Sequence, residues 1–458
     1  MTHAEAKLPT RNQDAGFLDG EYCSQYRVKY LLREIDKRTS TGTETLLSMR
    51  QGKGLIPHND VSKKRFKSEE LVGYKITCPG QLVMNRMRAS IGLFAASHTE
   101  GLVSPDYAVF QPLKPVNLDY LVHLFRTPIM GAIFRRESKG MGTGSSGFLR
   151  LYTDRFGAIP ISIPHIEEQN KIVAFIKGTE KEISRFIRNK RRLIELLKEQ
   201  KQNVINQAVT RGLDPNVKLK PSGVEWIGDI PEHWEMVPLK RLAIFKGGTG
   251  FPHVAQGKSG LELPFYKVSD MTLSGNETYM INTNNSITRE TASSLGATIF
   301  PENTIVFPKV GGAMLTNKRR ILTRLSCIDN NIMGCVLQSD TVFDFLFLRL
   351  QTLNLGLIRK PGPVPAIGEG EVRSFRVPLP PKGEQLQIVE HVKVQTTTID
   401  QAINRAQREI ELMREYRTRL ISDVVTGQVD VRGIEVPEIA EEELLMLDDD
   451  TVESDDTR

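Results

Sequence analysis

Ten side chains in this sequence have the types and spacing to grip a polyanion. Arg50 and Lys53 flank a glycine turn, and Asn85, Arg86 and Arg88 follow a short apolar run. Lys246 precedes Gly247-Gly248, Lys309 precedes Val310-Gly311-Gly312, and Lys318, Arg319 and Arg320 are consecutive. Lysine and arginine neutralise phosphates without reading sequence, whereas arginine, lysine and asparagine in a groove hydrogen-bond to base edges. Asn85, Arg86, Arg88 and Lys309 are the candidates for base reading. The competing reading of each is an ordinary solvated surface charge.

Catalytic chemistry is not expected in this chain. Gly257-Lys258-Ser259 resembles the end of a phosphate loop, but Pro252 stands where its leading glycine belongs. Gly247-Gly248-Thr249-Gly250 is glycine-rich, yet no Asn-Pro-Pro-aromatic tetrapeptide accompanies it, as an amino-methyltransferase needs. The eight histidines show no HxxxH spacing for a metal. Pro105-Asp106 lacks the acid-x-Lys sequel of a metal-dependent nuclease. Cys23, Cys78, Cys327 and Cys335 form no CxxC pair, so free structural thiols are expected. No apolar run approaches the ~18 residues of a membrane span and no apolar signal core opens the chain, so a cytoplasmic protein is expected.

The charge is divided. The chain carries +6 overall, but eleven acids and one arginine lie beyond Gly433, leaving +16 on residues 1–432. A basic body of that size suits a nucleic-acid partner. The acidic segment reads as a disordered, solubilising tail, or as a weak mimic competing for the basic surface.

Two long stretches must position these side chains, and they are copies. Residues 164–214 superpose on residues 380–430 by a shift of 216 with no gap, giving 16 identities over positions 168–214. Apolar residues recur at 388, 392, 399, 403, 410, 413, 420 and 424, and at the matching earlier positions, with the 3-and-4 spacing of a heptad seam. Prolines precede both stretches, and Gly212 and Gly427 end them with the residue that best accepts a left-handed cap. Each is expected to form a helix roughly 68 Å long at ~1.5 Å per residue. Two such stripes in one chain each need a partner, and pairing with each other is the simplest solution. Each helix starts where a globular domain ends, so antiparallel pairing spares the chain a long return and puts the two domains at opposite ends of the rod.

The expected plan is an N-terminal arm (1–25), a first domain (26–164), a long helix (165–213), a connector (214–235), a second domain (236–380), a second long helix (381–432) and the acidic tail (433–458). The fold class is α+β, with two mixed α/β domains, a pair of antiparallel coiled-coil helices and a pseudo-twofold internal repeat. Strands are expected near 74–77, 81–84 and 107–110, and near 265–268, 304–307 and 334–337. Helices are expected over 118–135, where Pro128 can kink or split the run, and over 343–352. The connector holds both tryptophans, Trp226 and Trp234, which implies that it is pinned.

The second helix carries Glu384-Gln385, Ile388-Val389, Ile399-Asp400, Glu415-Tyr416-Arg417, Val424-Val425-Thr426-Gly427 and Asp430-Val431-Arg432. This pattern resembles the distal conserved region of type I restriction-modification specificity subunits. The connector from Ser222 to Trp234, the run Asn317-Lys318-Arg319-Arg320 and the run Asp329-Asn330-Asn331 are similar to the same family. No tryptophan-containing entry precedes the first domain as one precedes the second.

The resemblance implies a non-catalytic subunit in which each domain, a target-recognition domain, reads one half of a bipartite asymmetric DNA site. The helices would set the gap and dock two methyltransferase subunits that methylate adenine. Motor-nuclease restriction subunits would add DNA cleavage. S-adenosylmethionine, ATP and Mg2+ would belong to those partners, with no cofactor in this chain. Two alternatives remain open on the residues alone: a coiled-coil scaffold carrying two protein-binding modules, and a self-sufficient methyltransferase.

Overall fold

The computed structural model describes residues 23–141, 148–357 and 364–434. Most of the expected N-terminal arm, the acidic tail beyond Ile434 and part of the glycine-serine stretch lie outside them. The chain divides into two compact units. Unit 1 takes the described residues up to Arg192 and from Ala406 onward, and unit 2 is Leu193–Arg405. Each unit therefore holds one domain, the start of the helix that follows it, and the end of the other long helix.

In unit 1 the strands include β1 (Cys23–Arg27), β2 (Leu32–Ile35), β3 (Gln81–Asn85), β4 (Phe94–Ser97), β5 (Tyr107–Pro112) and β6 (Pro160–Pro164). The central sheet runs β2-β5-β3-β4, antiparallel throughout. β1 pairs antiparallel with β6. Cys23 to Gln25, which the sequence assigns to the arm, thus belong to the domain, because β6 supplies their ladder. Helix α1 (Leu118–Phe125) and helix α2 (Pro128–Glu137) replace the single expected run. Pro128 has no N–H to donate and sits at the first position of α2, after the Thr127 cap. Phe94, Phe110, Phe125, Phe134 and Phe156 fill the core, with neighbouring ring centroids 5.0–5.9 Å apart.

Unit 2 repeats that order. Its strands include β7 (Glu235–Pro238), β8 (Ala243–Gly247), β9 (Tyr279–Met280), β10 (Ile305–Pro308), β11 (Arg320–Leu322), β12 (Ile332–Leu337) and β13 (Arg376–Leu379), and its helix α3 is Phe343–Thr352. The sheet runs β8-β12-β10-β11-β9, so β8, β12 and β10 take the places of β2, β5 and β3. β7 pairs with β13 as β1 pairs with β6. The connector is pinned in this unit. Trp234 is fully buried and its indole N–H donates to Glu384 Oε2 at 3.0 Å, while Trp226 stacks on Phe375.

The long helices span Ile166–Arg211 and Lys382–Val425. Ile172, Ile176, Ile183 and Ile187 of the seam are buried in unit 1, as are Ile410, Leu420 and Val424. Burying one such side chain contributes about 1.5–3 kcal/mol. Partner numbers fall as helix numbers rise. In unit 1 Ile176 shares a core with Leu420, and Lys190 pairs with Glu409 at 2.6 Å. In unit 2 Lys201 pairs with Asp400 at 2.6 Å, and Val209 shares a core with Ile388. The pairing is antiparallel in each unit, as expected. Gly212 and Gly427 follow the helix ends at φ +74° and +75°, the left-handed region that glycine enters without a Cβ clash.

The repeat also explains an identity. Gln169 donates from Nε2 to Pro164 O at 2.8 Å, and its Oε1 accepts the Asn117 N–H at 2.8 Å. Gln385 donates to Pro380 O at 2.9 Å and accepts the Val342 N–H at 2.8 Å. Asn117 and Val342 are the cap residues of α1 and α3. One buried amide in each unit therefore ties the entry of a long helix to the first turn of the domain's own helix.

Candidate nucleic-acid interface

The sequence candidates of unit 1 separate into three environments. The Asn85 side chain, at the end of β3, accepts the Met87 and Arg88 N–H groups at 3.1 and 3.2 Å. This turn sends Arg86 and Arg88 in different directions. Arg86 is only 15% exposed at its side chain, ion-paired with Glu34 and bonded to Thr153 Oγ1 at 3.1 Å. Its guanidinium is committed inside the domain. Arg88 is exposed and, with Arg50 and Asn85, lines a cleft of about 410 Å³.

Three residues that sequence reasoning did not mark share that cleft: Tyr107, His58 and Phe66. Burial pushes the Tyr107 phenol up, opposed by an Asn85 hydrogen bond and the nearby Arg88 and Arg50. His58 meets Ser48 Oγ through Nδ1 at 2.8 Å and Lys64 O through Nε2 at 3.1 Å. A carbonyl only accepts, so the N–H is assigned to Nε2, and Nδ1 accepts the serine hydroxyl. The only sequence signal for this group was an aromatic at the start of a strand. Lys53 lies elsewhere, in a cleft with Asp119, His123, Lys177 and Glu180.

In unit 2 Lys246 is exposed on β8. Lys309 follows β10 as Arg86 follows β3. Its carbonyl accepts the Ile367 N–H at 2.9 Å, just as that of Arg86 accepts the Leu151 N–H at 2.9 Å. The surroundings differ. Where β2 carries Glu34, the register of β8 places Phe245, and at Gly247, the last residue of β8, a Cβ would meet Lys309 Nζ at 2.6 Å. Among the described residues Lys309 makes no side-chain ion pair or hydrogen bond.

Arg319 is a correction to the sequence reading. It is 2% exposed, donates to Leu353 O at 2.9 Å and Lys318 O at 3.1 Å, and lies 5.0 Å from the Phe307 ring. Its guanidinium is not free to reach a groove. The extended chain entering β11 alternates sides, so Lys318 and Arg320 stay half-exposed while Arg319 turns in. Lys318 and Arg320 border a cleft of about 760 Å³.

Two mixed domains, each ending strands in basic side chains and each keyed by the same glutamine to a long helix, define a two-headed DNA-recognition protein. Residues 62–205 and 231–412 match the model of the type I restriction modification DNA specificity domain, and the chain belongs to that family. It is a specificity component, supplying DNA sequence recognition and not catalysis. The chain is 24% identical over 329 residues to a putative type I restriction enzyme MjaX specificity subunit of Methanocaldococcus jannaschii, covering 68% of each chain. It is 22% identical over 338 residues to the MjaVIII specificity subunit of the same organism, covering 69% of this chain and 72% of that one. A chain from a solved assembly of the type I restriction-modification system shares the fold, with a TM-score of 0.64 at 14% identity, covering 92% of this chain and 100% of that one. No helix among the described residues is long and apolar enough to cross a membrane, and no group of three His, Cys, Asp or Glu residues there is placed to hold a metal ion.

Proposed function

We propose that the two domains read the two halves of an asymmetric, bipartite site in duplex DNA, with the long helices setting the unread gap. The observation that carries this is a repeated frame with unlike contact surfaces. The Gln169 and Gln385 ties are the same, whereas the equivalent strands end in unlike residues, Asn85-Arg86 in one unit and Pro308-Lys309 in the other. Arg50, Lys53, Arg88, Lys246, Lys309, Lys318 and Arg320 are the proposed DNA contacts, with Asn85 shaping the turn that presents Arg88.

Two methyltransferase subunits dock on the long helices in this reading. Leu196 and Leu412 occupy the same repeat position and are 45% and 46% exposed, one unpartnered apolar side chain for each subunit. S-adenosylmethionine, ATP and Mg2+ reside on the methyltransferase and restriction subunits, and the complex works in the cytoplasm.

Footprinting of the assembled complex on its methylated sites tests the proposal. Two protected blocks flanking an indifferent gap are expected, with binding that falls steeply as salt rises. Inserting four residues at matching positions of both long helices adds ~6 Å of helix each and should widen the gap by about two base pairs. An unchanged gap overturns the ruler. Failure to retard duplex DNA with all partners present favours a protein scaffold.

A further inference from the structure

The cleft in unit 2 that Lys318 and Arg320 border is lined by more cations than acids: Lys198, Lys201, Lys318, Arg319 and Arg320 against Glu277. Its walls come from the end of the first long helix (Lys198, Lys201), the entry to β11, and the end of α3 (Gln351, Thr352). Lys201 is paired with Asp400, and Lys198 with Glu195 in an exposed pair at 2.9 Å, which costs little to exchange for an outside partner. Among the described residues Glu277 is the one acid lining the cleft.

Behind the wall lie two buried arginines with no acid beside them. Arg349, 0% exposed, stacks 5.5 Å from the Trp226 ring and donates to Thr352 Oγ1 at 3.1 Å, and its Nε and Nη2 have no partner. The Nε atoms of Arg319 and Arg320 are likewise unpartnered. Burial alone pushes Arg319 down to about 9 and Arg349 down to about 10, with no carboxylate opposing it. A desolvated cation without a counter-charge is costly, and its field extends far through a low-dielectric wall.

The matching cleft in unit 1 is an internal control. Arg417, Thr418, Ile421 and Ser422 line it 216 residues from Lys201, Gln202, Ile205 and Asn206. There the cations meet acids of their own. Lys177 bonds Asp119 at 3.0 Å, and Glu180 faces Arg417 and Arg126. The residue 216 positions beyond Glu180 is Thr396, so the second copy lacks that acid.

We propose that the unit 2 cleft holds a phosphodiester segment of the DNA backbone, with Lys198 and Lys318 as its direct donors, Arg320 at its rim with Nη1 and Nη2 already donating to the Arg319 and Met271 carbonyls, and Arg319 and Arg349 as fixed charge behind them. The amides of Gln202, Asn203 and Gln351 add uncharged donors. This rests on the DNA reading above and adds to it a sequence-independent hold that unit 1 lacks at the same place.

The test uses the full chain and a fluorescent duplex of arbitrary sequence, titrated across a salt series. The double variant Lys198→Gln, Lys318→Gln should lower the log–log salt slope by about two and weaken binding about tenfold. A charge-matched pair outside the cleft, Lys218→Gln with Arg405→Gln, should leave the slope unchanged. Thr316→Glu, which adds an acid at the rim and removes no cation, should weaken binding in the same direction. Equal loss in the cleft and control pairs, or an unchanged slope in the cleft pair, overturns the proposal while leaving DNA recognition intact. Wild-type protein that ignores duplex DNA at every salt overturns both. A cleft pair that binds DNA normally but no longer assembles with its partner subunits assigns the site to protein carboxylates and overturns it as well.

Discussion

The two units keep the same frame and spend their charges differently. In unit 1 Arg86 answers Glu34, Lys75 answers Glu34 and Asp36, and Asp119 answers Lys177 and His98. In unit 2 the matching strand position holds Phe245, and among the described residues Lys309 has no ion pair while Arg319 and Arg349 bond to carbonyl and hydroxyl groups and lie beside rings. Ion pairs within a domain withdraw cations from any outside partner. Equivalent positions in a duplicated fold therefore need not do equivalent work.

The largest expected effect lies at the Arg86 and Lys309 pair of positions. Arg86→Met leaves Glu34 short of its closest cation and should cost about 3 kcal/mol in denaturant unfolding. Lys309→Met should cost less than about 0.5 kcal/mol while weakening DNA binding. Interchange of those two outcomes would break the contrast. A smaller effect tests the shared frame. Gln169→Leu and Gln385→Leu each remove two buried hydrogen bonds and strand a cap N–H, so each should cost about 2 kcal/mol. A silent variant on either side would show that the two ties are not the same device.

The smallest effect is in pH. Burial, with Arg126 nearby, pushes His123 down to about 4. Between about 6.5 and 4 the unfolded ring binds a proton that the folded ring refuses, so unit 1 loses stability as pH falls through that window. His98, raised by its hydrogen bond to Asp119, acts in the opposite sense, losing its contribution as pH rises. The net loss on acidification should be about 1–2 kcal/mol, read as faster amide exchange in unit 1 than in unit 2. His123→Asn should remove it, and an unchanged profile in that variant would show that another group is responsible.

Much of this was legible in the sequence because it is periodic. Heptad stripes and a 216-residue repeat mark both long helices, and Pro128 marks the break between α1 and α2. Strands near 81–84 and 304–307 show as short apolar runs between turns. What the residues alone could not convey is pairing across distance. Arg86 and Glu34 are 52 positions apart, so nothing local distinguishes Arg86 from Arg88. Arg319 sits between two cations that face outward, and only the alternation of an extended chain turns it inward. The identity of Gln169 with Gln385 was visible, but its purpose required the cap residues Asn117 and Val342. Arg349 interrupts the apolar run Phe345–Leu350, a sequence signal for a buried cation.

The core of unit 1 includes Leu420, Val424 and Val425, and the buried Tyr120 hydroxyl donates to the Val425 carbonyl at 3.1 Å across 305 residues of chain. Unit 2 is one uninterrupted segment, Leu193–Arg405. During synthesis the later unit has all its parts as soon as residue 405 clears the ribosome, while the earlier one must wait for the final helix. The half made first is thus finished last, and a prematurely stopped message would yield a polypeptide whose N-terminal module is the defective one.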